Sequence, residues 1–144
     1  MSHGNILIVD DEPNILKTLS RALSLEGYTV ELAESGEATL SRVLDHHYDV
    51  IMLDVKMSPG VSGIDVLKEI RHKSPDQLVV MMSGHSTIET AVQATRLGAY
   101  DFLEKPLSIE KILLTLENAL KFKQLQDENV SLRKYPNPIA ARNL

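Results

Sequence analysis

Three runs of consecutive apolar residues constrain this chain most: Ile6-Leu7-Ile8-Val9, Val50-Ile51-Met52-Leu53 and Leu78-Val79-Val80-Met81-Met82. A half-buried strand alternates apolar and polar side chains, whereas a strand apolar at every position needs cover on both faces. Helices supply that cover when they cross between parallel strands, and the intervening sequence has their period. After Pro13, whose missing N–H has no partner to lose in a first helical turn, Ile15, Leu16, Leu19 and Leu23 recur at helical spacing until Gly27. Ser35 opens a second helix carrying Ala38, Leu40, Val43 and Leu44, and Ile64, Val66, Leu67 and Ile70 mark a third. Ser86 with Glu89 has capping-box spacing for a fourth, running through Ala91, Val92 and Ala94 to Gly98. Ser108 caps a fifth, led by Ile109, Ile112, Leu113 and Leu116.

Five strands are expected at Asn5–Asp10, Tyr28–Ala33, Val50–Asp54, Leu78–Met82 and Tyr100–Leu103. The second and fifth are the more polar and belong near the sheet edges. The pattern predicts an α/β fold, a (βα)5 unit with right-handed crossovers and helices on both faces. The last helix outruns this unit. Phe122, Leu125, Asn129 and Leu132 follow at spacings of three, four and three, which suits a short coiled coil with Asn129 setting register, or equally an amphipathic helix lying back on its own domain. Pro136 and Pro138 stop it, and residues 135–144 read as a linker.

With 43% hydrophobic and 24% charged residues the chain has the composition of a folded globular domain. No apolar run approaches the roughly 18 residues of a spanning helix. The absence of cysteine excludes disulfides and thiolate metal sites and is compatible with a cytoplasmic setting. Charge argues against a nonspecific nucleic-acid or membrane binder. The net value is −5, with 16 acids and 9 bases in residues 1–107, against 4 acids and 6 bases in residues 108–144.

Open parallel sheets bind ligands beyond the carboxyl ends of their strands. Asp10 and Asp11 follow the first strand, Asp54 ends the third, Ser83 follows the fourth and Lys105 the fifth. Three neighbouring carboxylates repel one another unless a hard cation relieves them. Oxygen-only ligands favour Mg²⁺, with Ca²⁺ and Mn²⁺ as alternatives. Asp54 is then placed as a nucleophile toward a phosphoryl group, with Lys105 and the Ser83 hydroxyl as partners for the transferring oxygens. Lys105-Pro106 is a junction at which a cis peptide bond is accessible.

Ile8-Val9-Asp10-Asp11-Glu12, Asp54 with Met57, Met82-Ser83-Gly84 and Lys105-Pro106 together make the sequence resemble the receiver domain of bacterial two-component response regulators, over about residues 4–122. The resemblance implies a flavodoxin-like sheet of order 2-1-3-4-5. It implies that Asp54 accepts a phosphoryl group from a sensor histidine kinase. Mg²⁺ would be held by Asp10, Asp11, Asp54 and the backbone carbonyl of Lys56. It makes Ser83 and Lys105 the phosphate sensors, Ser83 and Phe102 the switch pair, and Lys56 and His85 the residues that tune phosphoryl lifetime. Such a domain modifies itself and is not an enzyme for an external substrate. Two other readings remain open: a Mg²⁺-dependent aspartyl phosphatase or phosphotransferase, and an unphosphorylated dimerisation module.

One departure concerns the loop after the phosphoacceptor. The family usually has proline directly after the methionine and then an acid-glycine pair, whereas Met57-Ser58-Pro59-Gly60-Val61-Ser62-Gly63 is one residue longer and has Ser62 in place of the acid. The runs Ser83–Thr87 and Gly98–Pro106 are most similar to the nitrogen-regulation subgroup, whose receivers precede an AAA+ ATPase that activates σ54-dependent transcription. This segment carries no GxxxxGK[ST] loop and no helix-turn-helix pair, so direct nucleic-acid binding is not expected of it. Expected self-association is a homodimer, through the face made by the fourth helix, fifth strand and fifth helix, or through the extended last helix. Ile109, Leu113, Leu116, Leu120, Leu125 and Leu132 are the candidate contacts. The expected organisation is a receiver domain at 4–122, the helical extension at 123–134 and the linker at 135–144.

Overall fold

A computed structural model describes residues 3–57, 60–84 and 87–134, with side chains to residue 128. Ten elements alternate along the chain: β1 (Asn5–Val9), α1 (Pro13–Leu25), β2 (Thr29–Ala33), α2 (Gly36–Asp45), β3 (Val50–Asp54), α3 (Gly63–Lys73), β4 (Leu78–Ser83), α4 (Ile88–Arg96), β5 (Asp101–Glu104) and α5 (Ile109–Lys134). All strand pairs are parallel, in the order β2-β1-β3-β4-β5. The three apolar strands are central, and the polar β2 and β5 form the edges, as their compositions require.

Alternation along each central strand divides the interior in two. Ile6, Ile8, Val50, Met52, Val80 and Met82 face α1 and α5, meeting Leu16, Leu19, Leu23, Ile112 and Leu116. Leu7, Val9, Ile51, Leu53, Val79 and Met81 face the other way, onto Val66, Leu67 and Ile70 of α3 and Ala94 of α4. Ile6 to Val9 are all fully buried, each contributing about 1.5–3 kcal/mol of transfer free energy. A single-face sheet would leave half of that unrealised.

Strand limits differ slightly from the sequence expectation: β4 runs on to Ser83 and β5 is shifted by one residue to Asp101–Glu104. Two helices correct it further. In α2 the inward stripe passes through Gly36, Thr39 and Val43, and Leu44, about 100° further round the helix than Val43, is exposed. Thr39 is tolerated inside because its hydroxyl donates to the Ser35 carbonyl at 2.8 Å, and Ser35 caps the helix by accepting from Ala38 N at 3.1 Å. The cap of α4 is Thr87, whose side chain accepts from Thr90 N. Ser86, expected to cap it, lies outside the described residues. Ala94 alone on α4 is buried, while Ile88 and Val92 point outward.

The last helix is continuous from Ile109 to Lys134. Leu116 is fully buried in its own core, and Ile109, Leu113 and Leu120 pack against the same cluster, so these four candidate dimer contacts are engaged within the chain. The Phe122 ring stacks at a tilt on Tyr100, 5.5 Å between centroids, and Lys123 Nζ reaches Asp49 Oδ1 at 2.5 Å. From Gln124 to Glu128 every side chain is exposed, Leu125 among them. The side chains of Asn129 and Leu132 lie outside the described residues. Among the described residues no helix is long and apolar enough to cross a membrane.

Candidate functional site

The carboxyl ends of β1, β3, β4 and β5 converge where the chain leaves β1 toward one face and β3 toward the other, the crevice that open α/β sheets use for ligands. Asp10 is the first residue past β1. Its N–H donates to the Ala33 carbonyl at 3.2 Å, which keeps it at the sheet end, and its side chain is completely buried. One carboxylate oxygen accepts from Glu12 N at 2.9 Å and the other from Lys105 Nζ at 2.7 Å. Asp54 closes β3, hydrogen-bonded into the sheet beside Met82, with Val55 N donating to the Met82 carbonyl at 2.9 Å. Lys105 Nζ lies 3.4 Å from Asp54 Oδ2 and so bridges the two buried acids. Its own N–H donates to the Ser83 carbonyl at 2.8 Å, fixing the loop that carries it, and the Lys105–Pro106 bond is cis.

Burial pushes the Asp54 carboxyl up to about 6; the Asp10 charge adds to this, and Lys105 together with the Lys56 backbone N–H works against it. Burial also acts to lower the Lys105 ammonium, but its hydrogen bond to Asp10 and the charges of Asp54 and Asp10 carry it above the ordinary lysine value. A proton on Lys105 is therefore secure, while the carboxylates together outnumber it. Asp10, Asp11 and Glu12 present oxygens within 4.8 Å of one another. An all-oxygen donor set with this excess of negative charge fits a hard divalent cation.

A cavity of about 430 Å³ opens over these groups, lined by Asp11, Glu12, Asp54, Val55, Lys56, Ser83, Gly84, Thr90 and Lys105. Asp10, Asp11, Asp54, Ser83 and Lys105, scattered over 96 positions of sequence, thus share one site. Lys56 is exposed at its mouth. Phe102 is half-buried on β5 and packs toward the cluster under α2, α3 and α4. His85 lies outside the described residues. Sequence reasoning gave no role to Glu12 or Thr90. Glu12 had a visible signal, the third acid in a row, whereas Thr90 sits in the first turn of α4 with nothing local to mark it.

Of the lengthened loop, Ser58 and Pro59 lie outside the described residues, and the positions around them are held locally. Met57 stays buried, Gly60 takes a φ of +116° that suits only glycine well, and Ser62 caps α3 by accepting from Asp65 N at 3.2 Å. Gly63 follows with its N–H on the Val55 carbonyl at 2.8 Å. A Cβ there would sit 1.9 Å from the Asp54 carbonyl oxygen. Glycine is what allows α3 to begin directly against Asp54. A larger cavity, about 680 Å³, lies at the opposite end of the sheet among His47, Asp49, Gln77 and Lys123, where Asp49 is already paired with Lys123.

The profile of the response regulator receiver domain family matches residues 6–117. The chain is 37% identical over 139 residues to the nitrogen assimilation regulatory protein NtrX of Azorhizobium caulinodans, covering 96% of this chain and 30% of that protein. It is 41% identical over 122 residues to the transcriptional regulatory protein ZraR of Escherichia coli, covering 83% and 27% respectively. The chain thus spans under a third of the length of these curated relatives. Among solved structures, NtrX from Brucella abortus superposes with a TM-score of 0.86 at 38% identity, over 93% of this chain and 30% of that one. The solution structure of the beryllofluoride-activated NtrC4 receiver domain dimer gives 0.78 at 39% identity, over 83% and 98%.

Proposed function

Because this chain belongs to the response regulator receiver domain family, we propose that it is a phosphoryl-accepting switch in which Asp54 takes a phosphoryl group from a sensor histidine kinase with the help of Mg²⁺. The observation that carries this reading is Lys105 held between two buried carboxylates, 2.7 Å from Asp10 and 3.4 Å from Asp54, in the lining of an open cavity. An ion pair kept for stability alone has no need of a cavity above it.

With its carboxyl pushed up to about 6, Asp54 is predominantly ionised above neutral pH and retains a basic oxygen lone pair. That oxygen forms the new O–P bond as the N–P bond to the donor imidazole breaks, and the electron pair of the broken bond returns to the imidazole nitrogen. Lys105 meets one of the phosphoryl oxygens and the Ser83 hydroxyl donates to another, both being held at strand ends before the reaction starts. Asp10, Asp11, Asp54 and the Lys56 carbonyl would hold Mg²⁺, with Glu12 close by. When bound, the ion offsets the carboxylate charge and that of the incoming phosphoryl oxygens. Hydrolysis reverses the modification as water attacks phosphorus and inorganic phosphate leaves, and the exposed Lys56 at the cavity mouth governs that water's approach.

The added charge biases a two-state balance of α4, β5 and α5, with Ser83 drawn toward the phosphoryl group and Phe102 packing inward behind it. That face, with the exposed end of α5, supports a homodimer, and the chain acts in the cytoplasm on a transcriptional output module of the σ54-activating type in the full-length protein. Mass measurement with acetyl phosphate and Mg²⁺ tests the central step. One phosphoryl group per chain, mapped to Asp54, absent in Asp54→Asn and lost when EDTA removes the metal, is the expected result. Label on another residue, or none from any donor, refutes the reading. Lys105→Ala is expected to leave some label at Asp54 while weakening the conformational response.

A further inference from the structure

The α4 helix begins with two threonines that touch each other and only one of which reaches the phosphoacceptor cavity. Thr87 is the N-cap, and its hydroxyl oxygen accepts from Thr90 N at 3.1 Å. The Thr90 hydroxyl lies 3.0 Å from the Thr87 hydroxyl, in a contact where either oxygen is able to donate, and Thr90 lines the same cavity as Asp54, Asp11 and Glu12. A hydroxyl has one proton to give and two lone pairs to receive with. While the Thr87 oxygen accepts the backbone N–H, its own proton remains available. If Thr87 donates to Thr90, the Thr90 proton is released toward the cavity without loss of the cap.

From this arrangement we infer that Thr90 is a phosphoryl-sensing residue, its hydroxyl donating to an oxygen of the group on Asp54 and coupling that group through Thr87 to the first turn of α4. The inference rests on the reading of Asp54 as phosphoacceptor and adds a contact to it. Before modification either hydroxyl of the pair is able to donate to the other, and the two proton orders compete. Once a phosphoryl oxygen is present, one order wins: Thr90 donates to the phosphoryl group, Thr87 donates to Thr90, and Thr90 N–H donates to Thr87. Each bond in such a chain polarises the next, so the N-cap tightens in the phosphorylated state. The coupling is local because Thr87 and Thr90 lie one turn apart, and Ala94, the buried residue of α4, passes it to the core. Ser83 and Lys105, by contrast, are carried by strand ends.

Hydrogen exchange of the peptide spanning residues 88–97, in the full chain with Mg²⁺ and with or without acetyl phosphate, tests the assignment, with label at Asp54 quantified by mass in the same samples. In the wild type, exchange over the first turn of α4 slows by about fivefold on labelling, the size of one net hydrogen bond. Thr90→Val, which keeps the shape and removes the hydroxyl, takes label at Asp54 but loses the slowing, and Thr90→Ser restores it. Thr87→Ala raises exchange in both states, which separates loss of the cap from loss of the sensor. Thr90→Ala serves as a second deletion should valine disturb the fold. Equal slowing in wild type and both Thr90 deletions at matched label, or no restoration by Thr90→Ser, overturns the role of Thr90 and leaves Asp54 standing. A wild-type chain that takes no label overturns both.

Discussion

Enclosure of Asp54 costs the fold stability whenever that side chain is charged. Its carboxyl is 4% exposed, faces Asp10 and is pushed up to about 6 from an unfolded value near 3.8. A raised folded value means that the native state binds the proton more tightly than the unfolded chain, so this stabilisation is complete below about pH 3.8 and lost as pH rises through 6. Asp54→Asn is therefore expected to raise the melting temperature of the metal-free protein at pH 7.5, with the gain shrinking as pH falls through 6 and when Mg²⁺ is added. A variant less stable than wild type at pH 7.5 in EDTA would show that the Lys105 pairing outweighs burial. Gly63 makes the complementary prediction. A Cβ there meets the Asp54 carbonyl at 1.9 Å, and neither partner is a flexible side-chain end. Gly63→Ala should lower the urea midpoint by an amount corresponding to about 1–3 kcal/mol and disturb labelling at Asp54. At Gly84 the same methyl finds only ordinary contact with the Lys105 side chain at 3.8 Å, so Gly84→Ala should stay within roughly 0.5 kcal/mol. Of the site, Asp10, Asp11, Asp54, Ser83 and Lys105 were legible because each follows or ends a recognisable strand. Thr90 and Gly63 were not, since their roles arise from what another element places against them.

At the scale of the element, the informative case is the far end of α5. Asp49 accepts from Asn5 N at 2.7 Å with one oxygen and from Lys123 Nζ at 2.5 Å with the other, tying the start of β1, the approach to β3 and the seventh residue past Leu116 into one clamp. Burial alone would raise the Asp49 carboxyl, but the Lys123 and Asn5 hydrogen bonds and the nearby charges lower it. A depressed value stabilises the fold above the unfolded value near 3.8 and is lost as pH falls through the folded one. Asp49→Asn should therefore lower the melting temperature at pH 7 by a few degrees, about 1 kcal/mol for a partly buried charged pair, with the gap closing as pH falls below the unfolded value. A gap that persists undiminished in acid would assign the loss to packing. Sequence periodicity found all ten elements because amphipathic stripes and apolar runs are local. Its errors fell at boundaries and faces. The α4 cap is Thr87, which the Ser86–Glu89 spacing had obscured, and Leu44 lost its inward place to Thr39 because a short helix turns only one narrow stripe to the sheet.

For the whole molecule, the two-sided sheet determines which parts of the chain are dispensable. The fully apolar central strands announced cover on both faces, but the division, with α1 and α5 on one side and α2, α3 and α4 on the other, follows from crossover handedness and strand order, which no single segment encodes. From the same division we propose that the boundary of the folding unit lies inside α5. Ile112, Leu116 and Ala119 are fully buried against the first cluster, Phe122 and Lys123 make the last contacts with Tyr100 and Asp49, and residues 124–128 are all exposed. A chain ending at Lys123 should consequently melt within a few degrees of the full chain, whereas one ending at Leu114 gives up Leu116 and Ala119 together and should lose several kcal/mol, enough to unfold a domain of ordinary stability. Self-association is separable from this. The described part of the extension leaves Leu125 exposed at 60%, beside Phe122, which stays 41% exposed while it stacks on Tyr100. Sedimentation of the chain ending at Lys123 is therefore expected to give a monomer at concentrations where the full chain dimerises, with circular dichroism showing the receiver fold intact. If the shortened chain still dimerises, the contact belongs to α4, β5 and the first half of α5, where Ile88, Val92 and Leu114 are exposed apolar residues, and Ile88→Asp should then weaken it.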